Sequence, residues 1–294
     1  MRTSLEEAPG RAREAATDTS ALWSAPPLLI LSASFFYPLS LIAVQALTGA
    51  GGHLSFTKAQ AVLASARFQD ALLRTVAIAG AASAGCLALG FVMALVVAFF
   101  PFRGSALVAR LVDTFIALPT FLVALALTFL YGSAGILNTS LMAAFGLPLP
   151  PIDFLYSAWG VILAEVTVYT PFVMRPLLAA FSLVETAQIE IAASLGAGFF
   201  RIVRQIILPA ALPALLAGGS LCLLLTVNEF GIVLFIGAKG VTTLPLLIYD
   251  KAIQEFDYTT ACVIALVNIV LSIVLYFCYR GALGQLGGSR ARLV

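Results

Sequence analysis

The sequence predicts an all-α protein that crosses a membrane about six times. Of its 294 residues, 61% are hydrophobic and only 10% are charged, whereas an average soluble domain is roughly 25% charged. The mean hydropathy is +1.05. The apolar residues fall into six runs, and each is long enough for a helix that crosses about 30 Å of hydrocarbon, which takes about 20 residues. These observations favour a polytopic membrane protein over a soluble one.

The six runs define the predicted spans and leave a polar segment at each end. Residues 1–25 carry acidic and basic side chains and are unlike a cleaved signal peptide, so we expect a solvated N-terminal tail that is partly disordered. We expect the membrane domain over residues 26–280 and a C-terminal tail over residues 281–294. The predicted spans are Pro26–Leu47, Thr75–Phe100, Leu107–Tyr131, Ala158–Phe181, Ala210–Ile236 and Thr259–Tyr279.

Basic residues are divided unequally between the two sides of this predicted domain. An even number of spans places both termini on one side, and the side richer in Lys and Arg is usually cytoplasmic. The side with the termini holds eleven: Arg2, Arg11, Arg13, Arg103, Arg110, Arg175, Arg201, Arg204, Arg280, Arg290 and Arg292. The other side holds five: Lys58, Arg67, Arg74, Lys239 and Lys251. We therefore expect cytoplasmic termini and an external loop over residues 132–157, which contain no Lys or Arg.

Several classes of function are disfavoured by the composition. A net charge of +2 with dispersed basic residues does not suggest a nucleic-acid partner. His53 is the only histidine and the four cysteines show no C-x-x-C spacing, so neither a metal site nor a catalytic cluster is predicted. The chain also lacks a G-x-x-x-x-G-K-S/T phosphate loop. We therefore expect no catalytic residues and no ATP hydrolysis by this chain itself.

The segment between the fourth and fifth spans, residues 182–209, is unlike a simple connector. Its first half places apolar residues on one helical face, namely Val184, Ala187, Ile191 and Leu195. Its second half does the same with Phe199, Ile202, Val203, Ile206 and Ile207, opposite Arg201, Arg204 and Gln205. Gly196 and Gly198 lie between the halves and permit a sharp turn. The pattern predicts a short helix, a tight turn and a return helix at the membrane surface.

This segment resembles a motif of bacterial permeases from binding-protein-dependent ATP-binding-cassette importers. Those permeases carry E-A-A-x-x-x-G, then nine residues, then I-x-L-P. The matching positions here are Glu190, Ala192, Gly196, Ile206, Leu208 and Pro209, and the one departure is Ile191 in place of the first alanine. The chain looks most similar to 2-aminoethylphosphonate permeases, on the stretches Val112–Leu122, Phe129–Gly135 and Asn228–Gly240.

The resemblance implies a type I importer permease fold in the bacterial inner (plasma) membrane. It implies that residues 182–209 form a coupling loop that sits in a cleft of an ATPase. The coupling residues would be Glu190, Ala192, Ala193, Gly196, Leu208 and Pro209. The implied partners are an ATPase dimer that binds ATP and Mg²⁺, a second permease that is identical or homologous, and an external substrate-binding protein. No cofactor is implied in this chain.

Polar residues inside the predicted spans are candidates for the translocation path, because ionisable groups at bilayer depth are costly and usually face a partner or water. Glu165 and Tyr169 lie one helical turn apart in the fourth span. Asn228 and Glu229 interrupt the fifth span, where a local opening of the helix is expected. A structural hydrogen bond between helices is the alternative explanation for Glu165 and Tyr169. We expect Arg175 to extend toward cytoplasmic phosphates, and Asp113 to fix a helix end or to pair with a nearby Arg. Asp250, Lys251, Glu255 and Asp257 are expected to be ordinary solvated residues.

Two alternatives to a phosphonate importer, and one alternative interpretation of residues 182–209, remain open at this stage. Related permeases for ferric ion, polyamines, thiamine and sulfate share the fold and the motif. A secondary transporter driven by an ion gradient would need no ATPase, but it would leave the motif in residues 182–209 unexplained. An amphipathic helix that only lies on the bilayer is the alternative for the loop.

Overall fold

The computed structural model describes residues 10–48, 53, 55–100 and 102–288. Thirteen α-helices account for most of these described residues: α1 (Gly10–Leu47), α2 (Thr57–Ala64), α3 (Ala66–Phe99), α4 (Ser105–Ala117), α5 (Thr120–Tyr131), α6 (Ile136–Phe145), α7 (Ala158–Phe181), α8 (Thr186–Ser194), α9 (Phe199–Ile202), α10 (Leu208–Val227), α11 (Gly231–Ile236), α12 (Leu244–Tyr249) and α13 (Tyr258–Gly288). One π-helical turn, Val203–Ile207, joins α9 to α10, and a second, Asp250–Gln254, follows α12.

Six segments of the described chain are long and apolar enough to cross a membrane, which confirms the predicted class. They are Trp23–Leu47, Ala66–Phe99, Thr120–Phe145, Ala158–Phe181, Phe199–Val227 and Tyr258–Ala282. The predicted fourth span coincides with α7. The helices at both ends run further than predicted, because α1 already begins at Gly10 and α13 continues to Gly288. Residues 1–9 and 289–294 of the predicted tails lie outside the described residues.

The predicted third span, Leu107–Tyr131, is wrong. Leu118 is extended, with φ −78° and ψ 135°, and it ends α4 immediately before Pro119, as expected of a residue that precedes proline. The membrane-crossing segment comprises α5 and α6. The predicted external loop over residues 132–157 is therefore also wrong in part, since its first half contains the helix α6.

The centre of the membrane domain is formed by α3 and α10 packed on α7. Val173 of α7 is fully buried between them. A Cβ atom on Gly90 of α3 would lie 3.1 Å from the Val173 side chain, and one on Gly218 of α10 would lie 3.0 Å from its Cα atom. Small residues permit a close approach of helices, as Gly218 does here. The peripheral helix α1 packs against α13 and exposes large apolar side chains such as Phe35 and Leu29.

Charged residues after α12 form ion pairs with the start of α3 and with α2, although the sequence suggested ordinary solvated side chains. Arg67 contacts Asp250 at 2.9 Å and Glu255 at 3.1 Å. Lys58 contacts Asp257 at 2.9 Å. Hydrogen bonds from Thr260 and Lys58 lower the pKa of Asp257 to about 2. These pairs join the beginning of α13 to the α2–α3 corner.

Asn138 organises the segment between α5 and α7, and sequence reasoning did not single it out. Its side chain is completely buried. The Nδ2 group donates to the carbonyl oxygens of Gly132 at 2.9 Å and Ile152 at 2.8 Å. Its Oδ1 atom accepts from the backbone N–H of Ile152 at 3.0 Å. One amide side chain therefore pairs three backbone groups on either side of α6.

We predict that Asn138→Ala destabilises the protein by about 1–3 kcal/mol, because buried backbone groups lose their only side-chain partner. The measurement is thermal unfolding of the purified chain in detergent. Thr139→Ala is the matched control, since Thr139 is the exposed next residue whose hydroxyl bonds only within its own helix turn. Equal melting temperatures for the two variants would contradict the role given to Asn138.

Candidate functional site

Residues 182–209 fold as the predicted short helix, tight turn and return helix. Helix α8 ends at Ser194, and Gly196, two residues later, has a left-handed φ of +82°. The N–H of Gly196 donates to the carbonyl of Ala193 at 2.9 Å, and the N–H of Ala197 donates to that of Ala192 at 2.9 Å. This pair of bonds is a Schellman motif, in which glycine is favoured at the left-handed position. The left-handed conformation at this position therefore explains why the sequence motif has a glycine there.

Helix α8 has two distinct faces. Ile189 and Ala192 are partly buried and pack against the main core. Ile191 and Leu195 point away from the chain and are 60% and 82% exposed. Glu190 is exposed as well. Of the predicted face, Ile191 and Leu195 form an outward apolar surface and Ala187 is exposed, whereas Val184 is half-buried. Ala192 packs against the chain's own core.

The return half of the loop joins the core directly. Ile202 and Ile207 are buried, while Val203 and Ile206 are partly buried, as the sequence predicted. Phe199, which was predicted on the same face, is exposed. The opposite face carries Arg201, Arg204 and Gln205, which line a cleft of ≈ 610 Å³ together with Phe200 and Pro209. Leu208 and Pro209 begin α10, where the missing N–H of proline is not needed for an intrahelical bond.

Aromatic contacts attach both ends of the loop to α3. Phe181, the last residue of α7, is 3% exposed and its ring lies 5.3 Å from that of Phe99. Phe199 at the start of α9 lies 5.8 Å from Phe100. These contacts pack the residues before and after α8 against the end of α3.

A second candidate region lies where the fifth span opens. Helix α10 ends at Val227 and α11 begins at Gly231, which confirms the predicted interruption. Glu229 is 6% exposed and accepts hydrogen bonds from several elements. Its Oε2 atom accepts from the hydroxyl of Tyr169 on α7. Its Oε1 atom accepts from the N–H of Ile232 at 2.8 Å and from the hydroxyl of Thr120 at 3.4 Å.

The four candidate path residues do not form one site. Glu165 lies one turn before Tyr169 on α7, is 1% exposed, and has no hydrogen-bond partner for its Oε2 atom among the described residues. Asn228 points away from this cluster toward α13. Its Nδ2 group donates to Ser272 at 3.2 Å, and its Oδ1 atom accepts from Asn268 at 2.9 Å. The structure therefore separates Asn228 from the cluster of Glu165, Tyr169 and Glu229.

Sequence reasoning missed two of the residues in this second network. Asn268 and Ser272 are 6% and 9% exposed, and the Ser272 hydroxyl donates to the carbonyl of Asn268 at 2.9 Å. The signal was present, since the two polar residues are four apart in an otherwise apolar run and share a helical face.

Asp113 and Arg175 are brought together by α4 and α7. The Arg175 Nε atom lies 2.6 Å from Asp113 Oδ1. The predicted pairing of Asp113 with a nearby arginine is confirmed. That Arg175 extends toward cytoplasmic phosphates stays a prediction, and its Nε atom is held by Asp113 of α4.

The family described as "Binding-protein-dependent transport system inner membrane component" matches residues 87–286 of the chain. The chain is 61% identical to the putative 2-aminoethylphosphonate transport system permease protein PhnU of Salmonella typhimurium over 266 residues, which are 90% of this chain and 93% of the relative. It is 32% identical over 190 residues to the sulfate transport system permease protein CysT of the same organism, which covers 64% of this chain and 66% of the relative.

Solved structures of low sequence identity share the fold. A chain of a bacterial ABC transporter involved in the import of the acidic polysaccharide alginate matches with a TM-score of 0.78 at 18% identity, over 94% of this chain and 99% of that one. A chain of the MetNI methionine ABC transporter matches with a TM-score of 0.52 at 19% identity, over 76% and 98%. Taken with the family match over residues 87–286, these findings establish that the chain belongs to the inner membrane component family of binding-protein-dependent transport systems and is a multi-pass permease.

Proposed function

We propose that this chain is the membrane-spanning subunit of an ATP-driven importer of 2-aminoethylphosphonate. The assignment of this substrate rests on the 61% identity, over 90% of the chain, to a permease named for that compound. The sulfate permease relative, 32% identical over 64% of the chain, supports a different small oxyanion much less strongly. The substrate would be delivered by an external binding protein.

The mechanism rests on the geometry of residues 182–209. The outward surface of α8, formed by Ile191 and Leu195, is the part offered to an ATPase, and exposed Glu190 and Ala193 border it. A carboxylate at the rim of such a contact pairs well with a basic group of the partner. Gly196 fixes the turn, while Ala192, Leu208 and Pro209 join the surface to the core. Closure of the ATPase would then move α7 and α10 together.

The remaining parts of the importer lie outside this chain. ATP and Mg²⁺ would be bound by a separate ATPase dimer, because this sequence has no phosphate loop. A second permease, identical or homologous, would complete the path. The excess of basic residues on the side of residues 182–209 supports cytoplasmic termini and a cytoplasmic ATPase. A gradient-driven carrier would have no use for the outward surface of α8.

The path through the membrane would open near the break between α10 and α11. Tyr169 and Glu229 fix this break by linking α7 to the first turn of α11. Glu165, which lies beside them, and Asn228, which faces α13, are polar groups that a rearrangement of these helices can expose to the substrate. Unwound backbone inside a membrane is tolerated where it is buried in protein or lines a cavity.

The function is tested by uptake of labelled 2-aminoethylphosphonate in cells that lack only this chain. We predict that uptake is lost and that a plasmid copy restores it. Capture of the tagged chain from the same membranes should recover an ATPase. Normal uptake in the deletion strain would reject the substrate, whereas capture without any ATPase would reject the ATP-driven mechanism.

We predict that Gly196→Asp abolishes uptake while the chain still folds and reaches the membrane. A Cβ atom at Gly196 meets nothing within 4 Å, so the change adds charge and a left-handed strain of roughly 1–2 kcal/mol without a clash. Gly146→Asp is the matched control, because Gly146 is also an exposed left-handed glycine with free space around it, far from residues 182–209 in the sequence.

Uptake is measured at equal amounts of membrane-inserted protein. The control variant should transport like the wild-type chain. Wild-type uptake by Gly196→Asp, or an equal loss in both variants, would contradict the coupling role of this turn.

We predict that Tyr169→Phe lowers both stability and uptake. The change removes the Tyr169 hydroxyl that donates to the Oε2 atom of buried Glu229. We expect this loss to cost about 1–3 kcal/mol of stability. Tyr258→Phe is the control, since Tyr258 is 53% exposed and a surface change of this kind stays within about 0.5 kcal/mol. Thermal unfolding in detergent and uptake in cells are the measurements, and identical behaviour of the two variants would remove Tyr169 from the path.

A further inference from the structure

The ion pair between Asp113 and Arg175 lies at a depth where charges are uncommon. Arg175 is six residues before Phe181, the end of α7, which is about 9 Å along the helix axis. Its side chain is 56% exposed and that of Asp113 is 45% exposed. A charged pair at this depth is costly if it faces acyl chains, so it is expected to face water or protein.

A cleft adjoins the pair and provides such an environment. Its volume is ≈ 490 Å³, and it is lined by Ala109, Val112, Asp113, Arg175, Pro176 and Leu178. It lies on the α4–α7 side of the domain, near the end of α7 from which residues 182–209 begin. The cleft has room for a small organic anion, and Arg175 is the basic residue in its lining.

The hydrogen-bond geometry leaves most of the guanidinium available. Only the Nε atom of Arg175 bonds to Asp113. In the described part of the chain, no other acceptor bonds to its two terminal amino groups. Those groups hold four of the five N–H donors of arginine in a rigid planar fork. Such a fork matches two oxygens of a phosphate or phosphonate.

Asp113 also sets how strongly such an anion would be held. Its carboxylate balances the charge of Arg175, so an incoming oxyanion meets an ion pair of no net charge with unused donors. A transport pathway needs a site that is favourable enough to enter and weak enough to leave. An unpaired arginine at this depth would hold a dianion more tightly than transport requires.

We propose that Arg175, held in place by Asp113, binds a tetrahedral phosphorus oxyanion in this cleft. The oxyanion is the phosphonate group of the cargo, and this assignment to the cargo rests on the proposed function. A lipid headgroup phosphate has the same chemistry and is the competing source. Arg175 is therefore a specificity-determining residue. It lies near the same end of the path as residues 182–209.

The test measures the binding of methylphosphonate to the full purified chain by ³¹P line broadening. The chain is held in dodecyl maltoside, a detergent without phosphorus. Arg175→Gln should weaken binding about tenfold or more, the effect expected for loss of charge-assisted hydrogen bonds. Asp113→Asn is the discriminating variant. It breaks the ion pair but frees the guanidinium, so binding should be as tight as in the wild-type chain or tighter.

Two results would overturn the proposal. One is unchanged binding in Arg175→Gln. The other is an equal loss in both variants, which would make the ion pair purely structural. Because methylphosphonate binding needs no transport, the result is independent of the uptake experiment. Binding that depends on Arg175 in a chain that proves unnecessary for 2-aminoethylphosphonate uptake would keep the site and reject the proposed cargo.

A second arm separates the cargo from lipid. The titration is repeated with phosphatidylglycerol added to the micelles. A change of about threefold or less in the Kd of methylphosphonate supports the cargo as ligand. For comparison, a tenfold change corresponds to about 1.4 kcal/mol. Abolished methylphosphonate binding, together with release of phosphatidylglycerol by Arg175→Gln, would assign the cleft to lipid headgroups and overturn its role for the cargo.

Discussion

The close packing of α3 and α10 on α7 is the contact on which the rest of the membrane domain depends. Hydrophobic driving force between helices is weak in lipid, so association relies on van der Waals packing of small residues. Gly90 and Gly218 bring two backbones onto the same buried residue, Val173. Because α7 and α10 flank residues 182–209, this packing also fixes the base from which the α8 turn projects.

The polar groups of the domain follow from the same constraint. A helix that opens inside a membrane leaves backbone donors that water does not reach. Glu229 meets this need by accepting from the first turn of α11 and from Tyr169. The adjacent Asn228 joins a separate network with α13. The break between α10 and α11 is thus stabilised from two sides, by α7 and by α13.

Much of this arrangement is predictable from the sequence, and the failures have physical causes. The fourth span was predicted at its observed limits because Ser157 and Ser182 bound a run that is largely apolar, although it contains Glu165 and Arg175. The third span was misplaced because hydropathy treats the turn at residues 132–135 as the end of a helix, whereas buried Asn138 continues the segment through α6. Sequence spacing also does not show that a helix break turns Asn228 and Glu229 to opposite sides, or that Ala192 faces inward while Ile191 faces outward.

We propose that the outward surface of α8 contacts an ATPase while its inner face stays on the membrane core. The most direct measurement is cross-linking in native membranes from single cysteines, placed in a chain whose four native cysteines have been replaced. Leu195→Cys should cross-link to the ATPase, since Leu195 is 82% exposed. Ala192→Cys should not, because Ala192 is partly buried and packs against the chain's own core. Cross-linking from Ala192→Cys alone, or from neither position while the ATPase is present, would contradict the account.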